Sequence, residues 1–250
     1  MIEYKDKKKS KIVKISLIFV ILIASLIITC VIYINDFYRA DMKRIEKFMI
    51  DNVIETEKIE DNTLIFKAEN SSCGFIFYPG GKVEYKSYIP LMQLLASKGI
   101  MCVLVEMPCN LAVLDINAAE GIKEKFPEIE KWYIGGHSLG GAMAASYLSE
   151  NKDDFNGLIL LASYSTTNLC DDNLKVLSIY GSEDKIMNYE SYESNKENLP
   201  SGYTEHIIDG GCHAYFGMYG KQDGDGEANI SNEEQIIQTS NAILEFISGN

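Results

Sequence analysis

Apolar residues along this chain form one long uninterrupted run near the N-terminus and then many shorter runs separated by polar turns. From about residue 62 onward, short runs rich in β-branched residues alternate with stretches in which apolar residues recur at helical spacing. The strand-like runs are continuous rather than alternating, which is typical of parallel strands buried on both faces. This pattern predicts an α/β domain with a mostly parallel sheet and helices on both faces.

The same pattern locates the individual elements. Strands are predicted over residues 63–68, 74–78, 100–105, 132–134, 158–161, 176–180 and 204–208, with the first two as neighbours in the sheet. Helices are predicted over residues 88–98, 118–126, 139–148, 189–198 and 231–247. Ser231 and Glu234 form a capping box at the start of the last helix. The connections are short, so we expect little or no cap domain over the sheet.

The N-terminal run covers residues 15–34 and has no charged residue over 20 positions. At a rise of about 1.5 Å per residue, this length matches the thickness of the hydrocarbon core of a membrane. A cleaved signal peptide usually has a shorter apolar region and a site of the Ala-x-Ala kind, which does not follow this run. We therefore predict one transmembrane helix.

These features divide the chain into four predicted segments. Residues 1–14 form a short basic tip, 15–34 the anchor, 35–61 a juxtamembrane stalk or linker, and 62–250 the folded domain. Residues 1–34 carry six Lys and two acidic residues, and lysines beside a span favour the cytoplasmic side. The chain is predicted to be a single-pass protein of the cell membrane, with its N-terminus in the cytoplasm and its folded domain outside the cytoplasm.

The rest of the chain carries 17 Lys/Arg and 34 Asp/Glu, within a net charge of −13 for the whole sequence. An acidic domain argues against nucleic acid as a partner, because phosphate binding needs a basic face. The six cysteines are scattered without Cys-x-x-Cys spacing, so they predict neither a zinc site nor a disulfide framework. Mostly free thiols are expected, with a bridge between Cys102 and Cys109 left open.

A nucleophile-elbow pattern, G-x-S-x-G, occurs at Gly136-His137-Ser138-Leu139-Gly140. A predicted strand precedes it and a predicted helix follows it, which is the context that the pattern requires. The glycines let strand and helix approach closely because they lack a Cβ atom. Ser138 then lies at a helix N-terminus, where the helix dipole favours a developing negative charge. A glycine-rich turn that merely packs is the simpler alternative.

A reactive serine needs a base, and the chain has three histidines. His213 follows a predicted strand, and catalytic groups collect at the carboxyl ends of parallel strands. It also fits the chain order of serine, acid and histidine. His137 is expected to point away from the reacting face and His206 lies within a predicted strand, so we expect structural roles for both.

The acid that orients the base should follow a strand between Ser138 and His213. The predicted strand over residues 176–180 is followed by Gly181-Ser182-Glu183-Asp184, and Asp184 is the predicted acid. Glu183 is the alternative, with a solvated loop carboxylate as its simpler role. Asp209 is a weaker third candidate because it shares a segment with the base.

An oxyanion hole needs two backbone amides. One should come from Leu139, which follows the nucleophile, and the other from the loop after an early strand. That loop is Pro79-Gly80-Gly81-Lys82, where Gly81 is the predicted donor and Lys82 the alternate. A plain type II turn is the simpler reading of the Pro-Gly pair.

Together these residues resemble the α/β-hydrolase superfamily, and within it a small family of predicted hydrolases related to the dienelactone-hydrolase branch. The resemblance extends over residues 73–247, and the segments that carry it are 78–83, 107–112, 135–142, 161–164, 178–184, 211–217 and 224–231. It implies an α/β-hydrolase fold and the Ser138–Asp184–His213 triad, but no particular substrate. It assigns no role to Cys212 beside the base.

The predicted function is that of a carboxylesterase-like serine hydrolase, which cleaves a small carboxylic ester or thioester through an acyl-enzyme on Ser138. This chemistry requires no metal and no cofactor. One alternative is transfer of the acyl group to an alcohol or amine by the same triad. Another is a hydrolase fold that binds a partner without catalysis.

Overall fold

The computed structural model describes residues 2–49, 56–59, 63–68, 71–170 and 173–249. The chain divides into two compact units, Met1–Phe37 and Tyr38–Asn250. The second unit begins well before residue 62, so it includes much of the segment that the sequence assigned to a stalk.

The first unit consists of helix α1 (Ile2–Asn35). Its stretch Ser16–Asn35 has 20 residues with a mean hydropathy of 3.1, and none of that stretch is buried within the protein. Thr29 donates its hydroxyl hydrogen to the Ser25 carbonyl at 2.9 Å, which satisfies a polar group inside this apolar helix. By length and composition this helix is a candidate membrane span or signal segment.

The second unit is built on an eight-stranded sheet with the order β1-β2-β4-β3-β5-β6-β7-β8. Its strands are β1 (Thr56–Ile59), β2 (Thr63–Phe66), β3 (Cys73–Tyr78), β4 (Ile100–Val105), β5 (Lys131–His137), β6 (Gly157–Leu161), β7 (Lys175–Gly181) and β8 (Thr204–Ile208). The strands from β4 to β8 in this order pair in parallel, whereas β1 and β2 pair antiparallel at one edge. The predicted mostly parallel sheet is therefore confirmed.

Two predictions about individual elements are wrong. Strands β2 and β3 are not neighbours, because β4 lies between them and pairs with both. Residues 118–126 form no α-helix but a series of turns that ends in the short 3-10 helix Lys123–Lys125. Gly121 adopts a φ of 73° there, and the Ala119 amide donates to the Tyr78 hydroxyl instead of to a helical carbonyl. These two features interrupt the helical backbone despite the helical spacing of apolar residues.

The α-helices of the second unit cover both faces of the sheet. They are α2 (Met42–Met49), α3 (Ile89–Ser97), α4 (Leu139–Glu150), α5 (Tyr189–Asn195) and α6 (Asn232–Ser248). Along β3, Phe75 and Phe77 pack into the same buried cluster as residues of α2, α3 and α6, whereas Ile76 packs into the cluster that contains residues of α4. This alternation follows from the two-residue period of a strand and creates one apolar core on each face.

The closing helix α6 begins as its capping box predicts, because the Ser231 hydroxyl accepts the Glu234 amide hydrogen at 3.1 Å. Only one α-helix, the seven-residue α5, occurs in the described connections between β6 and β8. No helical cap is therefore inserted in the described part of those connections. The loops after β3, β5, β7 and β8 meet at the carboxyl edge of the sheet.

Candidate active site

Ser138 occupies a sharp turn between β5 and α4. Its φ of 51° and ψ of −122° lie in a region that residues with a side chain rarely adopt, and its amide donates to the Leu161 carbonyl at 2.9 Å. A Cβ atom at Gly136 would collide with the Tyr78 carbonyl, and one at Gly140 would collide with the Pro79 carbonyl. The two glycines are therefore required by close backbone packing around a strained serine, as expected of a nucleophile elbow.

His213 and Asp184 are joined by a buried hydrogen bond of 2.8 Å between Nδ1 and Oδ2. The other carboxylate oxygen of Asp184 accepts the amides of Ile186 and Met187 at 2.8 and 2.9 Å. The side chain of Asp184 is fully buried and that of His213 is 2% exposed. A carboxylate with three donors is held in one orientation, and its bond to Nδ1 leaves Nε2 of the imidazole for proton exchange with another group.

The other candidate acids and bases lie elsewhere. Glu183 directs Oε1 toward the Ser182 hydroxyl at 3.3 Å, and Asp209 is exposed. His206 is an exposed residue of the edge strand β8. The structure therefore pairs His213 with Asp184 and with neither of the two alternative acids.

His137 lies beneath the elbow, where it is 1% exposed. Burial, and next the neighbouring His213 imidazole, lower the pKa of His137 well below its usual value. The Tyr88 hydroxyl lies 2.8 Å from Nδ1 of His137 and accepts the Gly80 amide hydrogen at 3.1 Å. A neutral His137 with its proton on Nε2 can accept the remaining hydrogen of that hydroxyl.

The backbone amides near Ser138 that donate to no protein acceptor in the described part of the chain include those of Gly81 and Leu139. They belong to adjacent segments, since a Cβ atom built on Gly81 would lie 2.9 Å from Cδ2 of Leu139. The amide of Lys82 donates to the Asn110 carbonyl at 2.8 Å. The Gly80 amide is likewise engaged by Tyr88, so Gly81 is the donor of this loop that remains available.

Ser138, Leu139 and His213 line a cavity of about 350 Å³. Its other walls come from the start of α4 and from the loops after β6 and β7, and they consist of Ala142, Met143, Ala162, Ser163, Tyr164, Thr166, Ile186, Met187 and Asn188. These residues are apolar or neutral and polar, and no Lys, Arg, Asp or Glu is among them. The cavity therefore suits an uncharged, partly apolar group next to the serine.

The cysteines take no part in this arrangement. All six are free thiols, and Cys102 is buried whereas Cys109 is exposed, so the bridge that the sequence left open is not formed. Burial, and next the charge of Asp225, raise the pKa of Cys212 to about 12, so this thiol beside the base stays protonated. Among the described residues, no group of three His, Cys, Asp or Glu side chains is placed to hold a metal ion.

The sequence did not predict the roles of two residues near the site. Tyr88 lies at the end of a 3-10 helix after β3, and only its place in a run of apolar residues marked it as buried. Asp225 lies in the loop 221–229, yet its carboxylate accepts the amides of His213 and Ala214 at 3.3 and 2.8 Å. In the sequence, this loop was marked by its paired glycines, Gly224 and Gly226, and by its share in the family resemblance.

The sequence profile described as "Alpha/beta hydrolase family" matches residues 74–237. This match spans more than half of the chain and includes the elbow, Asp184 and His213, so the chain belongs to the alpha/beta hydrolase family. A search of curated proteins found no match. The narrower resemblance to the dienelactone-hydrolase branch stays a prediction.

Solved structures of the same fold include a lipase and a peptidase. Est1E from Butyrivibrio proteoclasticus is 14% identical with a TM-score of 0.54, over 78% of this chain and 99% of that chain. A monoacylglycerol lipase from Paleococcus ferrophilus is 14% identical with a TM-score of 0.57, over 77% and 100%. An acylaminoacyl peptidase from Pyrococcus horikoshii is 16% identical with a TM-score of 0.51, over 78% and 41%. At these identities the similarity shows the fold alone.

Proposed function

We propose that this chain is a serine hydrolase that cleaves a small carboxylic ester or thioester, with Ser138 as nucleophile, His213 as base and Asp184 as the orienting acid. The observation that carries the proposal is the buried 2.8 Å bond between His213 Nδ1 and Asp184 Oδ2, at a cavity that Ser138 also lines. An imidazole fixed through Nδ1 can use Nε2 to take the proton of a serine hydroxyl.

In the first step, the Ser138 oxygen attacks the carbonyl carbon of the substrate while its proton passes to Nε2 of His213. The carbonyl oxygen becomes negatively charged, and the free amides of Gly81 and Leu139 supply the two donors of an oxyanion hole. His213 then returns the proton to the departing alkoxide or thiolate. The products of this step are an acyl-enzyme on Ser138 and a free alcohol or thiol.

In the second step, water attacks the acyl carbon while His213 takes one of its protons, and the acid is released as Ser138 regains its hydrogen. The Asp184 carboxylate stabilises the imidazolium that forms in both steps. No step calls for a metal or a cofactor.

The cavity supports a small substrate. A volume of about 350 Å³ is at the lower end of the range for ligand pockets, and no Lys, Arg, Asp or Glu lines its walls. The Met143 and Met187 side chains are flexible, so a short acyl chain can be accommodated between them. We expect chains of a few carbon atoms to react faster than long ones.

We also propose that α1 anchors the protein in the cell membrane, with the hydrolase unit outside the cytoplasm. The exposed apolar surface of the span supports an anchor, since 20 uncharged residues with a mean hydropathy of 3.1 are long enough to cross the hydrocarbon core of a membrane. The lysines before the span support an N-terminus in the cytoplasm.

The proposal is tested by steady-state hydrolysis of p-nitrophenyl esters with acyl chains of increasing length, using the full chain in detergent. We expect turnover that is greatest for short acyl chains, is lost in Ser138→Ala and is retained in Ser149→Ala, a serine at the far end of α4. Addition of an alcohol acceptor distinguishes the two reactions, because hydrolysis releases the free acid whereas acyl transfer forms a new ester. Folded wild-type protein without turnover of any ester or thioester would contradict the proposal.

A further inference from the structure

The carboxylate of Asp225 collects backbone amides from three segments. Its Oδ1 accepts the amide hydrogens of Gly226 at 2.8 Å and of His213 and Lys185 at 3.3 Å. Its Oδ2 accepts the Ala214 amide hydrogen at 2.8 Å. Oδ1 thus bonds three amides and Oδ2 bonds one, so backbone donors hold both oxygens of this carboxylate.

Two of these segments carry the proposed acid and base. His213 holds the imidazole, and Lys185 directly follows Asp184, whose carboxylate bonds that imidazole at 2.8 Å. Asp225 therefore connects the backbones of the acid loop and the base loop, whereas the Asp184–His213 bond connects their side chains. His213 is therefore held both through its imidazole ring, by Asp184, and through its backbone amide, by Asp225.

The loop that carries Asp225 fits closely against the acid loop. A Cβ atom on Gly226 would collide with the Glu183 carbonyl oxygen, and Gly224 adopts a φ of 86°. Both positions therefore require glycine, the first for close approach and the second for its backbone conformation. This packing is independent evidence that the loop places the Asp225 carboxylate between the loop of Asp184 and the loop of His213.

We propose that Asp225 is a positioning residue of the active site, which sets the place of the His213 imidazole relative to Ser138 without touching the substrate. The inference rests on the proposed function, because it concerns the base of that reaction. Misplacement of a catalytic group by about 1 Å lowers a rate by about 10²-fold. Without the carboxylate, the His213 and Ala214 amides lose their acceptor and the loop that carries the base is free to shift.

The first test compares the second-order rate constants of fluorophosphonate labelling for wild type, Asp225→Ala, Asp225→Asn and Asp223→Ala. We expect about 10- to 100-fold slower labelling in Asp225→Ala. Asp225→Asn keeps one oxygen acceptor and should recover part of that loss. Asp223 is an exposed neighbour in the same loop, and its replacement should leave the rate at the wild-type value.

Thermal unfolding gives the melting temperature of each variant, and labelling is then measured well below the lowest of these temperatures. Every variant is folded under that condition, so a slower labelling rate reports the position of His213 and not a loss of folded protein. The second readout is the downfield proton resonance of the bond between His213 and Asp184, identified by its absence in His213→Ala. We expect this resonance to shift or broaden in Asp225→Ala and to stay unchanged in Asp223→Ala.

Wild-type labelling rates and an unchanged resonance in folded Asp225→Ala would overturn the inference. Folded wild type that never labels would instead contradict the proposed function, and the resonance would still decide whether Asp225 positions the imidazole.

Discussion

The Tyr88 hydroxyl lies 2.8 Å from Nδ1 of His137 and also accepts the Gly80 amide hydrogen at 3.1 Å. One buried oxygen thus connects the loop of the proposed oxyanion donor Gly81 to the residue before the proposed nucleophile. A Cβ atom on Gly80 would lie 2.7 Å from Nδ1 of His137 and 2.8 Å from this hydroxyl, so the three groups leave no space between them. The position of the loop therefore depends on this contact.

Replacement of Tyr88 by Phe removes only the hydroxyl. The Gly80 amide and Nδ1 of His137 then lose a buried partner, which costs about 1–3 kcal/mol for each unsatisfied group. We expect a lower melting temperature and a kcat reduced by about 3- to 30-fold with little change in KM, because the loop of Gly81 relaxes away from the reacting oxygen. Steady-state ester hydrolysis and thermal unfolding measure both effects.

Tyr78→Phe is the matched control for Tyr88→Phe. The Tyr78 hydroxyl also makes two bonds, a partly buried one at 2.9 Å to the Ile116 carbonyl and a buried one at 2.8 Å from the Ala119 amide, but its side chain packs in the other core. The Tyr78→Phe variant should have a lower melting temperature without a comparable loss of kcat. Equal losses of kcat in both variants would mean that Tyr88 acts only through global stability.

The lowered pKa of His137 predicts a pH-dependent stability. His137 is neutral in the folded protein, whereas in the unfolded chain it takes up a proton below about pH 6.5. The free energy of unfolding should therefore fall as the pH drops below that value, by about 1.4 kcal/mol at pH 5.5 relative to pH 8 for this one group. Denaturant titrations of wild type across this range measure the slope.

The control for this slope is a comparison of His137→Asn with His206→Asn. On unfolding below about pH 6.5, His137→Asn should take up about one proton fewer than wild type, so its free energy of unfolding should depend less on pH. His206→Asn replaces an exposed histidine and should keep the wild-type slope. An unchanged slope in His137→Asn would mean that His137 takes up its proton equally in both states.

Removal of the charge on Asp184 should leave a folded protein with a poorly oriented base. We expect Asp184→Asn to lower kcat by about 10²–10⁴-fold, because an amide can stabilise neither the required tautomer nor the imidazolium. Glu183→Gln and Asp209→Asn remove the same charge at the two alternative acids, and both should retain most of the activity. A loss of activity confined to either of those variants would reassign the acid.

The proposed oxyanion donor is tested by adding one methyl group. Gly81→Ala would place its Cβ atom 2.9 Å from Cδ2 of Leu139, which forces the two amides apart or displaces the Leu139 side chain. We expect kcat to fall by about 10- to 100-fold. The Leu139→Ala replacement in the same chain should relieve the contact and recover part of the loss.

Gly202→Ala is the control for Gly81→Ala, since no atom lies within 4 Å of a Cβ built at Gly202. It should be as active as wild type. Wild-type kcat in Gly81→Ala would place the second donor of the oxyanion hole elsewhere.

The N-terminal helix predicts membrane integration of the uncleaved chain. Full-length protein should remain in the membrane pellet after alkaline extraction, whereas a chain that begins at Tyr38 should be soluble. Ile23→Arg should reduce insertion, since an arginine near the centre of a span costs about 2.5–3.5 kcal/mol, and Ile23→Leu should not. A mature chain that is shortened at its N-terminus and released from the membrane would identify the helix as a signal segment.

Much of the fold could be predicted because buried parallel strands and the serine turn leave strong local patterns. The pattern also located Asp184 and His213 after β7 and β8, where the structure joins them by a bond of 2.8 Å. The place of β4 between β2 and β3 could not be predicted, because strand order depends on pairing between distant segments. The contacts of Asp225 were hidden for the same reason, since they join loops that are remote in the sequence.

The proposed function requires that Ser138 is a nucleophile activated by His213. The most direct measurement is fluorophosphonate labelling of the full chain in detergent, with the modified residue located by mass spectrometry. We expect labelling of Ser138 in wild type and Ser149→Ala, and none in Ser138→Ala or His213→Ala. Labelling that persists in Ser138→Ala, or folded wild-type protein that never reacts, would contradict the proposed function.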